Sequence, residues 1–81
     1  MNEETAQIIS DNECLIADGL DHAIIGVTAG ANVQAVYSCA LIVQQYMIDG
    51  MEAEEALEYL HYNVLGGIPG ADNAPVFLSD L

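Results

Sequence analysis

The sequence contains no lysine and no arginine. It contains thirteen aspartate and glutamate residues, which give a formal net charge of -13 at pH 7. Because no basic side chain is present, no carboxylate can be paired with lysine or arginine, and the molecule presents a strongly negative field. Such a field repels nucleic acid and anionic lipid, so the composition argues against both as direct partners.

Cysteines and long apolar runs are also scarce. The two cysteines, Cys14 and Cys39, are too few for a disulfide framework and lack C-x-x-C spacing, so we expect free, buried thiols. The N-terminal sequence MNEETAQIISDNE has no positively charged segment followed by an apolar one, and no stretch approaches the length of a membrane span. We therefore expect a cytoplasmic protein.

Hydrophobic residues make up 53% of the 81 residues, which is typical of a folded domain and not of a disordered acidic tail. A chain of this length holds one core. Residues 1–13 are polar and acidic apart from Ile8 and Ile9, so they form an acidic N-terminal arm that is either frayed or docked by this pair, and we expect partial order. Residues 14–81 are predicted to form a single α+β domain.

Two β-rich segments in the first half predict an antiparallel hairpin. Residues 22–28 (HAIIGVT) are the first strand, in which Gly26 indicates a bulge or a close approach. Residues 33–37 alternate and are the second strand, after the small, polar connection TAGAN. Residues 14–18 are a candidate for an additional short strand.

Two helices and a closing strand follow. Residues 39–49 carry apolar side chains with helical spacing, after Ser38 as N-cap and before Gly50 as the terminating residue. This helix is apolar almost all round, so we expect it to be covered on two sides, and a homodimer would cover the second side. Residues 52–64 are the second helix, and 75–78 (PVFL) are a strand at a sheet edge. The predicted order is β-β-α-α-β.

Three stretches of the sequence, within residues 18–78, share a pattern with a known family. They are DGLDHAIIGVTAGANVQAVYS, DGMEAEEALEYLHYNVLGG and APVFL. The sequence resembles a family of short uncharacterised phage and prophage proteins with the pattern DGxxxAIxG, GMxxEEAxEYxxxNxxG and PVF. The resemblance implies this fold and a phage origin, hence the host cytoplasm, but no activity. The sequence departs from the pattern at Glu52, where a capping Ser or Thr is usual, and in lacking basic residues in the first helix.

The start of the second helix carries the densest group of acids. We predict a partner-binding surface made of Asp49, Glu52, Glu54, Glu55, Glu58, Tyr59 and Tyr62. A catalytic or metal site would require these carboxylates to converge in a cleft. On an outer helix face they diverge into water, so a solvated or partner-facing surface is the preferred interpretation.

Other combinations of reactive residues lack the spacing that their chemistry requires. His22 and His61, together with the cysteines and acids, could assemble a zinc site, but no ligand pair has motif spacing. The glycine-rich segment 66–70 has no lysine, serine or threonine and is predicted to be a turn, not a phosphate-binding loop. The sequence thus predicts a non-enzymatic protein without catalytic residues, metal or cofactor.

Charge density separates the functional hypotheses. Thirteen acids spread evenly over a protein of this size give roughly one charge per 360 Å², whereas duplex DNA carries roughly one per 110 Å². The protein could therefore imitate a nucleic acid only if its acidic side chains are clustered on one part of the surface. We favour a phage-encoded inhibitor of the anti-CRISPR or anti-restriction type, which acts as a DNA or RNA mimic in the basic groove of a host or defence protein.

Two alternatives stay open. One is a structural or accessory phage protein that oligomerises through its apolar helix, with the acids serving solubility. The other is adaptation to high salt, where acidic surfaces are common, although halophilic proteins usually keep some arginine.

Overall fold

The computed structural model describes all 81 residues. Its helices are α1 (Glu3–Asp11), α2 (Cys39–Ile48) and α3 (Ala53–Tyr59), and its strands are β1 (Ile24–Val27), β2 (Ala35–Ser38) and β3 (Val76–Leu78). A 3₁₀ turn, Asp21–Ala23, precedes β1. The α+β class is as predicted, but the molecule has one helix more than the predicted β-β-α-α-β order.

The sheet is mixed, with β2 in the middle of the order β1-β2-β3. β1 and β2 pair antiparallel, with Val27 opposite Ala35, which confirms the predicted hairpin. The register shifts between Ile24 and Gly26, which confirms the irregularity predicted at Gly26. β3 lies at an edge, as predicted, but pairs with β2 in parallel. Parallel neighbours need a crossover connection, and α2 and α3 provide it.

The ends of α2 follow the capping rules. The Oγ of Ser38 accepts a hydrogen bond from the Leu41 N–H at 3.1 Å, so Ser38 both ends β2 and caps α2. Gly50 follows the helix with a φ of 114°, a backbone conformation that residues with a Cβ rarely adopt. Its N–H donates to the Met47 carbonyl. The predicted helix start and end are therefore confirmed.

The second predicted helix is regular only in its first half. After α3 the chain continues as a π-helical turn, Leu60–Val64, and a 3₁₀ turn, Leu65–Gly67. The Leu65 N–H is shared between the His61 carbonyl, four residues back, and the Leu60 carbonyl, five residues back. The predicted extent of this segment is confirmed, but its second part is wider than an α-helix.

The N-terminal segment forms the additional helix α1. The Asn2 side chain accepts a hydrogen bond from the Thr5 N–H at 2.8 Å, and Glu3 and Glu4 lie in the first turn, where the helix dipole favours acids. Ile9 is buried in the core, and α1 packs on β1. Of the two predicted forms of this arm, frayed or docked by Ile8 and Ile9, the structure has the docked one, with Ile9 in the core, and the docked segment is a helix.

Residues 14–18 form no strand. The Leu15 N–H donates to the carbonyl of Asn73 in a loop, whereas the Ala17 N–H donates to the Tyr37 hydroxyl at 2.8 Å. Because one of these donors binds a loop and the other a side chain, no ladder of backbone hydrogen bonds can form. The candidate strand is therefore wrong.

A single core lies between the sheet and the helices. Its cluster comprises Ile9, Leu20, Ala23, Ile24, Ala35, Tyr37, Cys39, Ile42, Val43, Ala56 and Leu60. Cys39 is buried and Cys14 partly buried, and both are free thiols. Only 14 of the 81 residues are buried, so much of the apolar composition remains at the surface.

Candidate partner-binding surfaces

Every Asp and Glu side chain of the protein is exposed. The accessible surface of 5094 Å² divided among thirteen charges is about 390 Å² for each charge, against roughly 110 Å² for duplex DNA. Averaged over the molecule, the negative charge is therefore several times more dilute than that of a nucleic acid.

The local density is higher at the start of α3. Four acids, at positions 52, 54, 55 and 58, lie within six residue steps, which is about 9 Å of helix axis or about 3 Å for each charge. One strand of a duplex carries a phosphate every 3.4 Å or so of axis. Together with Asp49, these four glutamates are called the acidic surface of α3 below.

Three of these glutamates share one side of the helix. At about 100° for each residue, Glu54, Glu55 and Glu58 fall within an arc of about 100°. The buried Ala56 and Leu60 lie on the opposite side of the helix. The carboxylates therefore point away from the core and diverge into solvent, as expected for a surface that a partner could contact.

The remaining predicted site residues flank this group. Asp49 is the C-cap of α2 and accepts a hydrogen bond of 3.0 Å from the Gln45 side chain. Glu52 is the N-cap of α3, but its side chain makes no capping hydrogen bond. Tyr62 is 82% exposed in the π-helical turn. Tyr59 is 42% exposed and contacts Tyr46 at a ring-centroid distance of 5.0 Å.

The titratable side chains form no metal centre. No three of the His, Cys, Asp and Glu side chains lie close enough together to hold a metal ion. His22 and His61 are both exposed, in the 3₁₀ turn before β1 and in the π-helical turn respectively.

A second feature, which the sequence did not predict, is a groove of about 420 Å³ beside Tyr59. It is lined by the segment 15–18, by Tyr46 of α2, by Asn63 in the π-helical turn and by Phe77 of β3. We call it the tyrosine groove. Tyr46 and Tyr59 meet there at an angle of 70° between their ring planes, so they form a corner of two aromatic surfaces.

The polar side chains of the tyrosine groove are those of Asp18, Tyr46, Tyr59 and Asn63. Each of them can accept a hydrogen bond, and the single charge among them is negative. Burial raises the pKa of Tyr46, with a smaller contribution from Tyr59, so its hydroxyl stays neutral at physiological pH. The groove is thus apolar with acceptor groups and a carboxylate.

One side of the groove is held by a buried tyrosine. Tyr37 of β2 is fully buried, stacks on Phe77 at 5.1 Å, and accepts the hydrogen bond from Ala17. Burial raises the pKa of Tyr37, and Asp21 and Asp18 raise it further, whereas the Ala17 bond opposes them. Because Tyr37 contacts both Ala17 and Phe77, it fixes two parts of the groove lining relative to each other.

A third surface is apolar and lies on the outer side of α2. Ile48 is 70% exposed, and it lines a shallow depression with Met47, Leu57 and Leu81. The sequence predicted that α2 would be covered on two sides, but in the isolated chain this side is open. We call it the apolar surface of α2.

Sequence reasoning found the acidic surface of α3 but missed the tyrosine groove. The acids are adjacent in the sequence, whereas Asp18, Tyr46 and Phe77 belong to three separate parts of the chain. Tyr59 is a sequence neighbour of the acids, and its ring also lines the groove. A local signal for the groove was absent, because tertiary packing alone brings these residues together.

Comparisons with protein-family models, with curated proteins and with solved structures find no match to this chain. None of the helices has the length and apolar character needed to cross a membrane.

Proposed function

We propose that this protein is a phage-encoded, non-enzymatic inhibitor that acts as a DNA or RNA mimic and occupies the basic groove of a host or defence protein. The phage origin rests on the sequence pattern within residues 18–78 described above. The observation that carries the mimicry is the acidic surface of α3, where the spacing of charges along the axis approaches that of one nucleic-acid strand.

The absence of lysine and arginine supports the same proposal. In a groove lined by cations, a single lysine or arginine of the inhibitor would lie against like charge and weaken the complex. The exposed glutamates of α3, none of them held by a basic side chain, remain free to approach such cations. Tyr62, which is largely exposed and follows Glu58 by one turn, adds an aromatic ring to this surface.

The first experiment identifies the partner. The purified protein is used to capture proteins from a bacterial lysate at low salt, and the captured protein is then tested for nucleic-acid binding with and without added inhibitor. We expect a nucleic-acid-binding protein that is released as the salt concentration rises and whose DNA or RNA is displaced by the inhibitor. Failure to recover any such protein at low or raised salt would overturn the proposal.

A matched pair of variants then locates the binding surface. Glu54→Gln with Glu55→Gln removes two charges from the first turn of α3, and Glu3→Gln with Glu4→Gln removes two charges from the first turn of α1. We expect the α3 variant to bind its partner about 5- to 30-fold more weakly, at about 0.5–1 kcal/mol for each charge. Equal weakening by both variants would contradict a role for the acidic surface of α3.

The apolar surface of α2 favours a second candidate, an accessory protein that oligomerises. Exposed Ile48 and Met47 are the observation behind it. Replacement of both by serine would then convert an oligomer to a monomer in sedimentation or light-scattering measurements, without loss of helix. A wild-type protein that is monomeric at high concentration would remove this candidate.

A further inference from the structure

The tyrosine groove has the chemistry of a site for a cation with an apolar stem. Its aromatic members, Tyr46, Tyr59 and Phe77, offer ring surfaces, and its one charged member, Asp18, is a carboxylate. Cations are attracted to the faces of aromatic rings, and the attraction grows when water is displaced. The chain has no lysine or arginine of its own to place in the groove.

Arginine fits this set of groups better than lysine. Its planar guanidinium stacks on aromatic rings, is weakly hydrated, and donates hydrogen bonds in a fixed fork. Its three-carbon stem packs against apolar side chains while the charged end remains paired. The exposed Leu15, Ile16 and Ile68 line the groove next to the tyrosines and can contact such a stem.

The π-helical turn helps to shape this groove. Its wider spiral carries Asn63 and Val64, both of which line the groove. Turns of this kind occur often at functional sites in proteins. Tyr59, the last residue of α3, belongs to the groove and also follows Glu55 by one helical turn, so the groove adjoins the acidic surface of α3.

We propose that the tyrosine groove binds an arginine side chain that projects from the basic surface of the protein partner. This inference rests on the proposed function, since it gives that partner a second point of attachment. The acidic surface of α3 attracts the partner's basic groove over a distance, and the tyrosine groove adds an oriented contact beside it. Such aromatic and arginine contacts typically dominate the affinity of protein interfaces.

The test uses the isolated full-length protein and needs no partner. Isotope-labelled protein is titrated with N-acetyl-arginine amide, and its backbone amide resonances are followed by NMR. We expect shifts at residues 15–18 and 59–64, with a dissociation constant on the order of 1 mM for so small a ligand. N-acetyl-citrulline amide, which has the same shape without the charge, should leave these resonances unchanged, and N-acetyl-lysine amide should bind several-fold more weakly than arginine.

Variants make the assignment specific. Asp18→Asn removes an exposed charge, and Tyr59→Leu keeps an apolar side chain but removes the ring, so we expect either to weaken arginine binding by about tenfold or more. Glu3→Gln, which removes an exposed charge from α1 and lies outside the groove, should leave the dissociation constant for arginine within about twofold of the wild-type value. The folded state of each variant is visible in the same spectra.

Three results would overturn the inference. Equal binding of citrulline would mean an apolar groove without preference for charge, and equal binding of lysine would remove the argument for a guanidinium. Shifts confined to residues 49–58 would mean diffuse attraction to the acids alone. None of these results would contradict the capture experiment, so failure of the groove and failure of the proposed function can be told apart.

Discussion

Ser38 and Asp80 are joined by a hydrogen bond of 2.5 Å, in which the serine hydroxyl donates to Oδ2 of the aspartate. Oδ1 of Asp80 accepts a second hydrogen bond of 2.8 Å from the Ala40 N–H. These hydrogen bonds, that from Ser38 first, hold the pKa of Asp80 below its ordinary value. Asp80 therefore caps the first turn of α2 across 42 residues of sequence, where the helix dipole favours a negative charge.

Asp80→Asn should lower the melting temperature at neutral pH, because it removes the charge from this cap. A carboxyl whose pKa is depressed by folding adds stability above its unfolded pKa, and that stability is lost as the pH falls through the folded value. The difference between variant and wild type should therefore be largest near neutrality. It should vanish at acid pH, once the wild-type carboxyl is protonated as well.

Asp72→Asn is the matched control, since it removes one exposed charge from the loop before β3. Thermal melts of the three proteins at several pH values provide the measurement. If Asp80→Asn and Asp72→Asn behaved alike at every pH, the cap would have no energetic role.

Tyr37→Phe should destabilise the protein by about 1–3 kcal/mol, because it leaves the Ala17 N–H without its acceptor in a partly buried position. For a domain of this size the melting temperature should fall by about 5–15 °C. The control is Tyr62→Phe, which removes a hydroxyl from a largely exposed ring and should have little effect. Equal melting temperatures for the two variants would show that the Tyr37 hydroxyl is dispensable.

Gly50→Ala should cost about 1–3 kcal/mol in the free energy of unfolding, since the φ of 114° at this position strains any residue with a Cβ. Space is available, because no atom lies within 4 Å of the added Cβ, so the effect isolates the backbone. Gly67→Ala, which also has open space but no positive φ, is the control. Denaturant titration gives the free energy of unfolding of both variants. Equal values for Gly50→Ala and Gly67→Ala would show that the positive φ at position 50 causes no strain.

Salt should stabilise the protein mainly below physiological concentration. The screening length falls from about 30 Å at 0.01 M to about 8 Å at 0.15 M salt, and the molecule measures 37 × 26 × 20 Å. At low salt nearly all the acids repel one another, whereas at physiological salt only neighbours do. Melting temperatures across this range should rise and then level off. A rise that continues mainly into molar salt would instead favour adaptation to a saline environment.

Short-range signals predicted the local structure well. Ser38 and Gly50 are recognised by chemistry that acts within a few residues, and both ends of α2 are where the sequence placed them. The helix α1 was missed although Asn2 has capping chemistry, because the acidic composition of residues 1–13 outweighed the single buried Ile9. The parallel direction of β3 was not predicted either, since it is set by packing over α2 and α3.

The candidate site divides in the same way. The acidic surface of α3 could be read from the sequence because its members are close neighbours. The contact between Tyr46 and Tyr59 could not be predicted from the sequence, since it depends on how α2 and α3 cross. Residues 14–18 differ most from the prediction of a short strand. The Ala17 N–H donates to the buried Tyr37 hydroxyl and not to the backbone of a neighbouring strand.

Val36 of β2 pairs in parallel with Val76 of β3, so the sheet cannot be completed until the chain has been synthesised through β3. At about 5–20 residues each second, β2 waits about 2–8 s on the ribosome before its second neighbour is made. Until β3 pairs with β2, the sheet consists of the hairpin of β1 and β2 alone, and an isolated two-stranded hairpin is barely stable in water. Six of the acids precede β2 and five more lie within residues 49–58, so we expect electrostatic repulsion to oppose association of released chains whose sheet is still incomplete.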